Sequence, residues 1–525
     1  MTAPLTAGAL AVEVAERIGY PVSDDAVAAA IETLGVRDVD VRERFLEPDV
    51  FALARRIRPA VEAAAPIIAP APRRGMASLV FGSASRFAAY YSRGLFYALP
   101  MIIQVATVAF LRLDVIVRLS DAQATEIMLG SILSFVATGG FVQSIGRLGS
   151  VYVGRGSYRL ARELAYRIVI VGMAAAAGAG VLLFVLGAAL HVLPAGRLGV
   201  AVVYDLVLSI LWLTLALLYM LQRRMLVLVS VVVWVGTLAL FLEVVHLGIY
   251  ASEWLSAGIA ALVAADAGGT VLHRLVRSLP AEQGVETMPP LRALVGEVRP
   301  YFWYGVLYFA FVFLDRVVAW TKAPPPHYRI FFHRGYELGV DWALVTLLLS
   351  IALIDYTITA FSQRLVPTQK QFDSGRIRSH NLSFQRFYAR QLGLLTGVVA
   401  VSSVGVYAIG IALRDHSHNI TVEDFFGETT TYHVFLWAAL GYGLLVWGLL
   451  NVTFFFYLSR PGFAVRPLLF AVLTGLVVAL AVSRTGVYWQ SIVGLAAGAF
   501  VFAAATTRNA IRLFGDFDFF AYSAY

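Results

Sequence analysis

The sequence predicts an all-α, polytopic membrane protein with about twelve transmembrane helices in two six-helix lobes and a small helical extension before the first span. Of its 525 residues, 59% are hydrophobic and 14% are charged, whereas charged residues make up roughly 25% of an ordinary soluble domain. Apolar runs of about 20 residues recur along the chain, and each can cross roughly 30 Å of hydrocarbon as a helix. A proline-rich segment divides these runs into two groups of six.

The N-terminal part, residues 1–75, is predicted to be a cytoplasmic extension. It has helical apolar spacing over 24–36 and 50–64, and Ser23 or Asp24 is the expected N-cap of the first of these helices. Its charge is dispersed, with no compact apolar stretch before a cleavage site, which argues against a cleavable signal peptide.

Residues 76–94 lead into the first span and mix aromatic side chains with arginines. This pattern is typical of an amphipathic helix that lies in the membrane interface. An ordinary juxtamembrane segment accounts for it equally well, so both interpretations stand.

The apolar runs form two lobes. The first lobe is predicted over 95–272 and the second over 301–507, and a cytoplasmic linker with four prolines joins them over 273–300. Both halves begin with aromatic residues and carry an acid–base pair near the outer end of their first span. Such a repeat is typical of transporters whose path lies between two lobes. The runs lie near 95–117, 124–146, 168–190, 198–221, 225–245, 249–271, 301–320, 342–362, 391–413, 433–457, 463–483 and 486–506.

Arginine and lysine are unevenly distributed between the loops. The loops assigned to the inside carry most of them, notably 147–167 and 364–390, so the positive-inside rule places both termini in the cytoplasm. This distribution accounts for the net charge of +8 without a nucleic-acid partner. The aromatic tail 508–525 is then cytoplasmic, either as an interfacial anchor or as a docking peptide for a partner.

The most informative single feature is the adjacent pair Asp315 and Arg316 inside the run 301–321. A charge at the centre of a span costs roughly 2.5–3.5 kcal/mol on insertion scales, so such residues usually face a partner, a cavity or a pathway. At about 1.5 Å of rise per residue, Asp315 lies about 20 Å from the inner end of its span, in the outer third.

Other charged residues within or beside the spans are candidates for the same site. Most of them lie in the outer half, and Asp355 falls nearer the cytoplasmic side. Three of them share one face at the start of the eighth span, at i, i+3 and i+7, and the depth argument favours Glu337 and Asp341 over Asp355 as partners of Arg316. The candidates are Arg112, Asp114, Asp205, Arg334, Glu337, Asp341 and Asp355.

These charges have two interpretations. They form an acidic outer vestibule that narrows towards Asp266 and Asp355 and admits a polar solute or a coupling cation, or they pair statically and fasten the helix bundle. Adjacent residues point about 100° apart on a helix, so Asp315 and Arg316 can serve different purposes. The aromatic residues Trp303 and Tyr308 are candidates for the pathway, because aromatic faces stack on sugar rings. Trp320 is expected to be an interface anchor or a packing residue.

The motifs of membrane enzymes are missing from the sequence. It contains no cysteine, which excludes thiolate chemistry and thiolate metal sites. We find no GxSxG, HExxH or P-loop motif, and the spacing of His416 and His418 is too common to indicate a metal. We therefore expect no enzymatic activity, no cofactor and no metal.

Over roughly residues 300–380 the sequence resembles the Pel exopolysaccharide export membrane proteins (PelG-like), which belong to the multidrug/oligosaccharidyl-lipid/polysaccharide (MOP) flippase superfamily. The resemblance rests on FAFVFLDRVVAW at 309–320, YELGVDW at 336–342 and IDY at 354–356. Asp315, Arg316, Trp320 and Asp341 match the pattern of the family. The chain departs from the family at its N-terminus, where about 75 extra residues precede the spans.

The resemblance implies a MOP fold with two six-helix lobes around a central cavity. It also implies export or flipping of a polysaccharide or lipid-linked glycan across the bacterial inner membrane during exopolysaccharide (biofilm) biosynthesis. The implied partners are a cytoplasmic glycosyltransferase and other membrane subunits of the synthase. A cation-coupled exporter of small molecules with the same fold, a membrane enzyme and a non-catalytic scaffold of a glycan synthase remain as alternatives.

Overall fold

The computed structural model describes residues 6–21, 23–65, 91, 119–278, 288–322, 324–370, 377–416 and 429–522. Within these ranges all regular secondary structure is helical, which confirms the predicted fold class. The predicted first span at 95–117, with Arg112 and Asp114, lies outside the described residues, as does the interfacial segment 76–94 apart from Tyr91.

Four short helices form the described part of the N-terminal extension. They are α1 (Ala7–Ile18), α2 (Asp24–Thr33), α3 (Asp38–Phe45) and α4 (Val50–Ala64). The sequence pattern predicted α2 and α4 but not α1 or α3. Of the two predicted caps, Ser23 is the N-cap of α2: its hydroxyl accepts a hydrogen bond from the backbone N–H of Ala26 at 3.1 Å.

The extension has its own apolar core. Helix α4 packs against α1 and α2, and Leu10, Val14, Ile31 and Leu53 are fully buried between them. Arg58 of α4 forms hydrogen bonds with Asp24 of α2 and Glu62 of α4, and these bonds raise the pKa of Arg58. The bond to Asp24 joins α4 to α2. A separate core of this kind is what a small folded unit requires.

Eleven described helices are long and apolar enough to cross a membrane, and they coincide with the last eleven predicted spans. Helix α8 continues into a π-helical segment at Leu240–Val244. The helices are α5 (Asp121–Gly154), α6 (Tyr158–Ala189), α7 (Ala195–Met220), α8 (Arg224–Ala239) and α9 (Ile249–Arg277) in the first lobe, then α10 (Leu291–Trp320), α11 (Arg334–Lys370), α12 (Ile377–His416), α13 (Thr429–Tyr457), α14 (Gly462–Thr485) and α15 (Ile492–Gly515) in the second.

The predicted linker 273–300 is shorter than expected. Helix α9 continues to Arg277, and α10 begins at Leu291, ten residues before the predicted start of the span. Pro300 lies within α10; proline removes one backbone hydrogen bond, and membrane-spanning helices tolerate this when neighbouring helices support them.

Helices α5, α7, α9 and α11 begin at the same end of the bundle, where α10 also ends. We call this the distal end, and the arginine bias predicts that it faces outside. The two lobes meet mainly through α5 and α10. Gly139 and Gly305 allow a close approach there, because a Cβ on Gly305 would lie 2.3 Å from the carbonyl oxygen of Gly139.

Polar contacts also join the lobes at both ends. At the distal end, the backbone N–H of Phe332 donates to the Thr125 hydroxyl at 3.0 Å. At the opposite end, Arg147 donates to the Ser459 hydroxyl at 3.3 Å. In the described chain, therefore, the lobes are bridged at both ends as well as in the middle.

The C-terminal tail packs onto the second lobe of its own chain. A short helix, α16 (Phe517–Tyr522), follows α15, and the rings of Phe514 and Phe517 are fully buried. The side-chain amide of Asn381 donates to the Gly515 carbonyl at 3.1 Å and to Asp518 at 2.8 Å. Phe514 and Phe517 are therefore used inside the molecule, whereas Phe519 is 63% exposed.

Candidate functional site

The candidate site is a buried charge network at the distal end of the second lobe. Helix α10 supplies Asp315, Arg316 and Trp320 in its last two turns, and α11 supplies Glu337 and Asp341 in its first two turns. The connection between the helices folds back on α10, since the N–H of Phe331 donates to the Trp320 carbonyl at 2.9 Å. This return brings the two sets of side chains face to face.

Arg316 is the centre of the network. Its Nη1 donates to Glu337 Oε2 at 2.6 Å and its Nη2 to Asp341 Oδ1 at 3.0 Å. The side chains of Arg316 and Glu337 are 4% and 3% exposed, whereas that of Asp341 is 45% exposed. The network is thus accessible through Asp341, and the depth argument had identified both acidic partners.

Trp320 completes the coordination of Glu337. Its indole Nε1 donates to Glu337 Oε1 at 2.8 Å, and the ring is fully buried. An interface anchor would keep part of its ring in the headgroup region, so the anchor interpretation of Trp320 is wrong and the packing interpretation is right. The second carboxylate oxygen of Glu337 holds Arg316, and both oxygens therefore have strong donors.

Asp315 points to a different set of partners. It accepts a hydrogen bond from the Tyr336 hydroxyl, which in turn accepts one from the Ser491 hydroxyl at 3.3 Å. Its Oδ1 is buried and has no hydrogen-bond partner among the described residues. Sequence reasoning did not identify Tyr336 or Ser491 as members of the site. Tyr336 lies one position before Glu337 and is the first residue of the motif at 336–342, and these were the signals that could have identified it.

The network carries more acid than base. Three carboxylates, those of Asp315, Glu337 and Asp341, surround one guanidinium, and the Arg316 guanidinium also lies over the Phe313 ring at 5.7 Å. In a low-dielectric interior such an excess favours binding of a proton or another cation. Among the described residues, no group of three or more metal-ligating side chains is arranged to hold a metal ion.

Arg334 does not join this network, although it shares a helix face with Glu337 and Asp341. It donates to the Leu119 carbonyl at 2.8 Å and pairs with Asp121 at 3.3 Å, both in the first lobe. Arg334 is the first residue of α11, and a long side chain at a helix end can extend away from the face on which its Cα lies.

Two further predicted carboxylates lie elsewhere. Asp355 pairs with Arg224 of the first lobe at 3.6 Å, about 21 Å along α11 from Asp341. Asp205 is fully buried on α7 of the first lobe, where it accepts from the Ser209 hydroxyl at 3.3 Å. The structure therefore brings neither residue to the Arg316 network.

The aromatic candidates also separate. Trp303 is 48% exposed and stands near the start of the predicted span. Tyr308 is partly buried, stacks on Tyr304 and contacts the edge of Phe309. Phe309 stacks on Phe135 of α5 at 5.0 Å. Tyr308 thus lies beside the contact between the lobes, and Trp303 does not contact the charge network.

Comparison with solved structures identifies the fold. A mutant of the Vibrio cholerae MATE transporter VcmN is similar with a TM-score of 0.55 at 15% identity, covering 82% of this chain and 97% of that one. A MATE transporter in complex with MaL6 gives 0.52 at 10% identity, with coverages of 82% and 97%. The outward-facing conformation of a multidrug resistance MATE family transporter of the MOP superfamily gives 0.52 at 11% identity, with the same coverages.

No protein-family model matches the sequence, and no curated protein matches it. The structural similarity extends over both lobes and lies at identities that establish a shared fold only. The chain is therefore a multi-pass integral membrane protein with the two-lobed fold of MATE transporters, as the resemblance to the MOP superfamily implied.

Proposed function

We propose that the chain is a membrane transporter that exports or flips a polysaccharide or lipid-linked glycan in Pel-like exopolysaccharide biosynthesis. The observation that supports this most directly is the assembly of the residues that carry the family resemblance. Arg316, Trp320, Glu337 and Asp341 come from two separate sequence motifs and form one hydrogen-bonded network.

This assembly gives weight to the resemblance. Sequence similarity between two membrane spans can arise by chance, because few residue types are used in them. Chance similarity does not require the two motifs to contact each other. Six of their residues nevertheless take part in the network or its Tyr336 branch, namely Asp315, Arg316, Trp320, Tyr336, Glu337 and Asp341.

The two-lobed fold also supports a role in transport. A path between two lobes suits a cargo that must cross the whole membrane, and the lobes here meet along α5 and α10. In this proposal the protein is not an enzyme and lies in the bacterial inner membrane with its termini in the cytoplasm. A cytoplasmic glycosyltransferase delivers the glycan, with the other membrane subunits of the synthase.

A cation-coupled exporter of small molecules is the second candidate. It is favoured by the excess of carboxylates over guanidinium in the network and by the unpartnered Oδ1 of Asp315, since a coupling cation would neutralise this excess. One of the similar structures is a multidrug resistance transporter.

Deletion of the gene distinguishes the two candidates. A glycan exporter predicts loss of extracellular polymer with unchanged drug susceptibility, whereas a small-molecule exporter predicts increased susceptibility with polymer unchanged. Complementation with Asp315→Asn should fail to restore the affected property although the protein accumulates, as measured by immunoblotting of membranes. Glu163→Gln is the matched control, because Glu163 is an exposed acid on α6 paired with Arg167. If deletion leaves both properties unchanged, both candidates are wrong.

A further inference from the structure

A second polar site lies at the distal end of the first lobe, in a wide-open surface cavity of about 580 Å³. This volume is within the range of roughly 300–1,000 Å³ found for small-molecule sites. None of the lining residues belongs to the Arg316 network. They come from the first turns of α5, α7 and α9 and the residues just before α5 and α7, and comprise Ser120, Gln123, Glu126, Pro194, Gly196, Arg197, Val200 and Tyr250.

A buried carboxylate organises this cavity. Glu126 is 1% exposed, and it accepts hydrogen bonds from the Arg197 guanidinium and, at 2.6 Å, from the Tyr250 hydroxyl. Both oxygens of Glu126 are therefore used inside the protein. Arg197 keeps further N–H groups on a side chain that is 37% exposed, so its guanidinium is held in place while part of it remains accessible from the cavity.

The other groups at the cavity are also hydrogen-bond donors. The Gln123 side-chain oxygen accepts from the backbone N–H of Ser120 at 3.0 Å, and the Gln123 side chain also hydrogen-bonds the Tyr250 hydroxyl. An amide nitrogen carries two N–H donors, so one of them remains for a ligand. Helices α7 and α9 begin here after Pro194 and Gly248, and neither residue provides a side-chain cap. The first N–H groups of these helices lack intrahelical acceptors and carry partial positive charge.

Among the described residues that line this cavity, the Arg197 guanidinium, the Gln123 amide and the uncapped start of α7 come together, and the one acid in that set, Glu126, is already bound. We propose that this cavity binds an oxyanion group, a carboxylate or a phosphate, that belongs to a larger ligand. The Arg197 guanidinium holds the group through its accessible N–H donors, and the cavity is larger than a bare ion requires. The ligand is either an acidic saccharide or the headgroup of an anionic lipid.

The two sources can be separated with the purified full chain in nanodiscs. In nanodiscs of phosphatidylcholine, calorimetric titration with glucuronate should show binding, and titration with glucose should not. Inorganic phosphate should compete with glucuronate. In nanodiscs that contain phosphatidylglycerol, a lipid ligand should copurify and block glucuronate binding. Glucuronate binding without a copurified lipid identifies an acidic saccharide as the ligand, and a copurified lipid that blocks glucuronate identifies an anionic lipid. Either result supports an oxyanion site.

Three variants test the role of the cavity itself. Arg197→Gln should weaken binding of the effective probe at least tenfold, and Arg484→Gln should not, because Arg484 contacts Thr321 in the second lobe. Arg197→Gln also leaves Glu126 without its cation, and this loss could affect folding. Ser120→Asp avoids this problem, because aspartate remains a good N-cap for α5 while placing a negative charge at the cavity.

Ser120→Asn is the neutral control for that variant and should bind as the unmodified chain does. The proposal is overturned if the unmodified chain binds neither glucuronate, phosphate nor phosphatidylglycerol, or if Ser120→Asp and Arg197→Gln bind as well as Ser120→Asn. These measurements require no transport, so their failure would leave the proposed function untouched.

Discussion

Replacement of Glu337 by glutamine should destabilise the protein far more than replacement of Asp341 by asparagine. Both acids bind Arg316, at 2.6 and 3.0 Å, so a view based on contacts alone would treat them as equal. Burial distinguishes them, because the Glu337 side chain is 3% exposed and the Asp341 side chain is 45% exposed.

The magnitude follows from that difference. Removal of one partner from a buried ion pair costs roughly 3–5 kcal/mol, because the other charge remains in a low-dielectric site. Glutamine retains an acceptor for Trp320 or Arg316, and Asp341 remains beside Arg316, so we expect about 2–3 kcal/mol for Glu337→Gln. A partly exposed pair is worth roughly 0–1 kcal/mol, which is our expectation for Asp341→Asn.

Thermal unfolding in detergent, followed by the fluorescence of the nine tryptophans, can measure the difference. For an unfolding unit the size of one lobe, about 2 °C of Tm corresponds to 1 kcal/mol, so Glu337→Gln should lower Tm by about 4–6 °C and Asp341→Asn by about 2 °C at most. The double variant Arg316→Met/Glu337→Gln should lose less than the sum of the single variants, because it leaves no unpaired guanidinium. Equal losses for Glu337→Gln and Asp341→Asn would refute the argument from burial.

Three other perturbations test separate parts of the fold. Gly305→Ala should lower Tm, because the new Cβ would lie 2.3 Å from the Gly139 backbone. Gly258 has open space around it, so Gly258→Ala is the control and should leave Tm unchanged or raise it, since alanine is the better helix former. Burial lowers the pKa of His333, so thermal stability should be level above about pH 6.5 and fall as the pH decreases below it. His333→Gln should abolish this fall. A fall of equal size in that variant would exclude His333 as its cause. Asn381→Ala removes three hydrogen bonds to residues 515 and 518 and should speed hydrogen exchange over 515–522; unchanged exchange would mean that the buried Phe514 and Phe517 hold the tail alone.

Hydropathy was sufficient to locate the spans. Every predicted span within the described residues corresponds to a helix, because crossing hydrocarbon imposes both length and composition. The residues at which the helices begin and end were less predictable. Helix α10 begins before Pro300, since the part of a helix that emerges from the membrane needs no apolar run. In the N-terminal extension, α3 is only eight residues long and mostly polar, so its pattern is too short to recognise.

Prediction of the charged contacts succeeded where depth decided them and failed where a side chain could extend to another element. The partners of Arg316 followed from rise per residue, because a buried guanidinium must find acids at its own level. Arg334 lies on the same face of α11 as Glu337 and Asp341, but it is the first residue of the helix, and its side chain contacts Asp121 of the other lobe. The pair of Asp355 with Arg224 joins helices far apart in sequence, and no local pattern records such proximity.

The arrangement of the network bears on whether it fastens the lobe or contacts a cargo. Both oxygens of Glu337 accept hydrogen bonds, Arg316 donates to two carboxylates, and the side chains of Arg316 and Glu337 are almost fully buried, which is what a fastening role requires. Asp341 is held by the same guanidinium but is accessible, so a solute that approaches the network meets Asp341 first. Asp315 is buried, and its Oδ1 has no hydrogen-bond partner among the described residues. We therefore expect the two interpretations of the sequence to apply to different residues of one cluster: Arg316 and Glu337 fasten α10 to α11, and Asp341 is the carboxylate at which a cargo or a cation is expected.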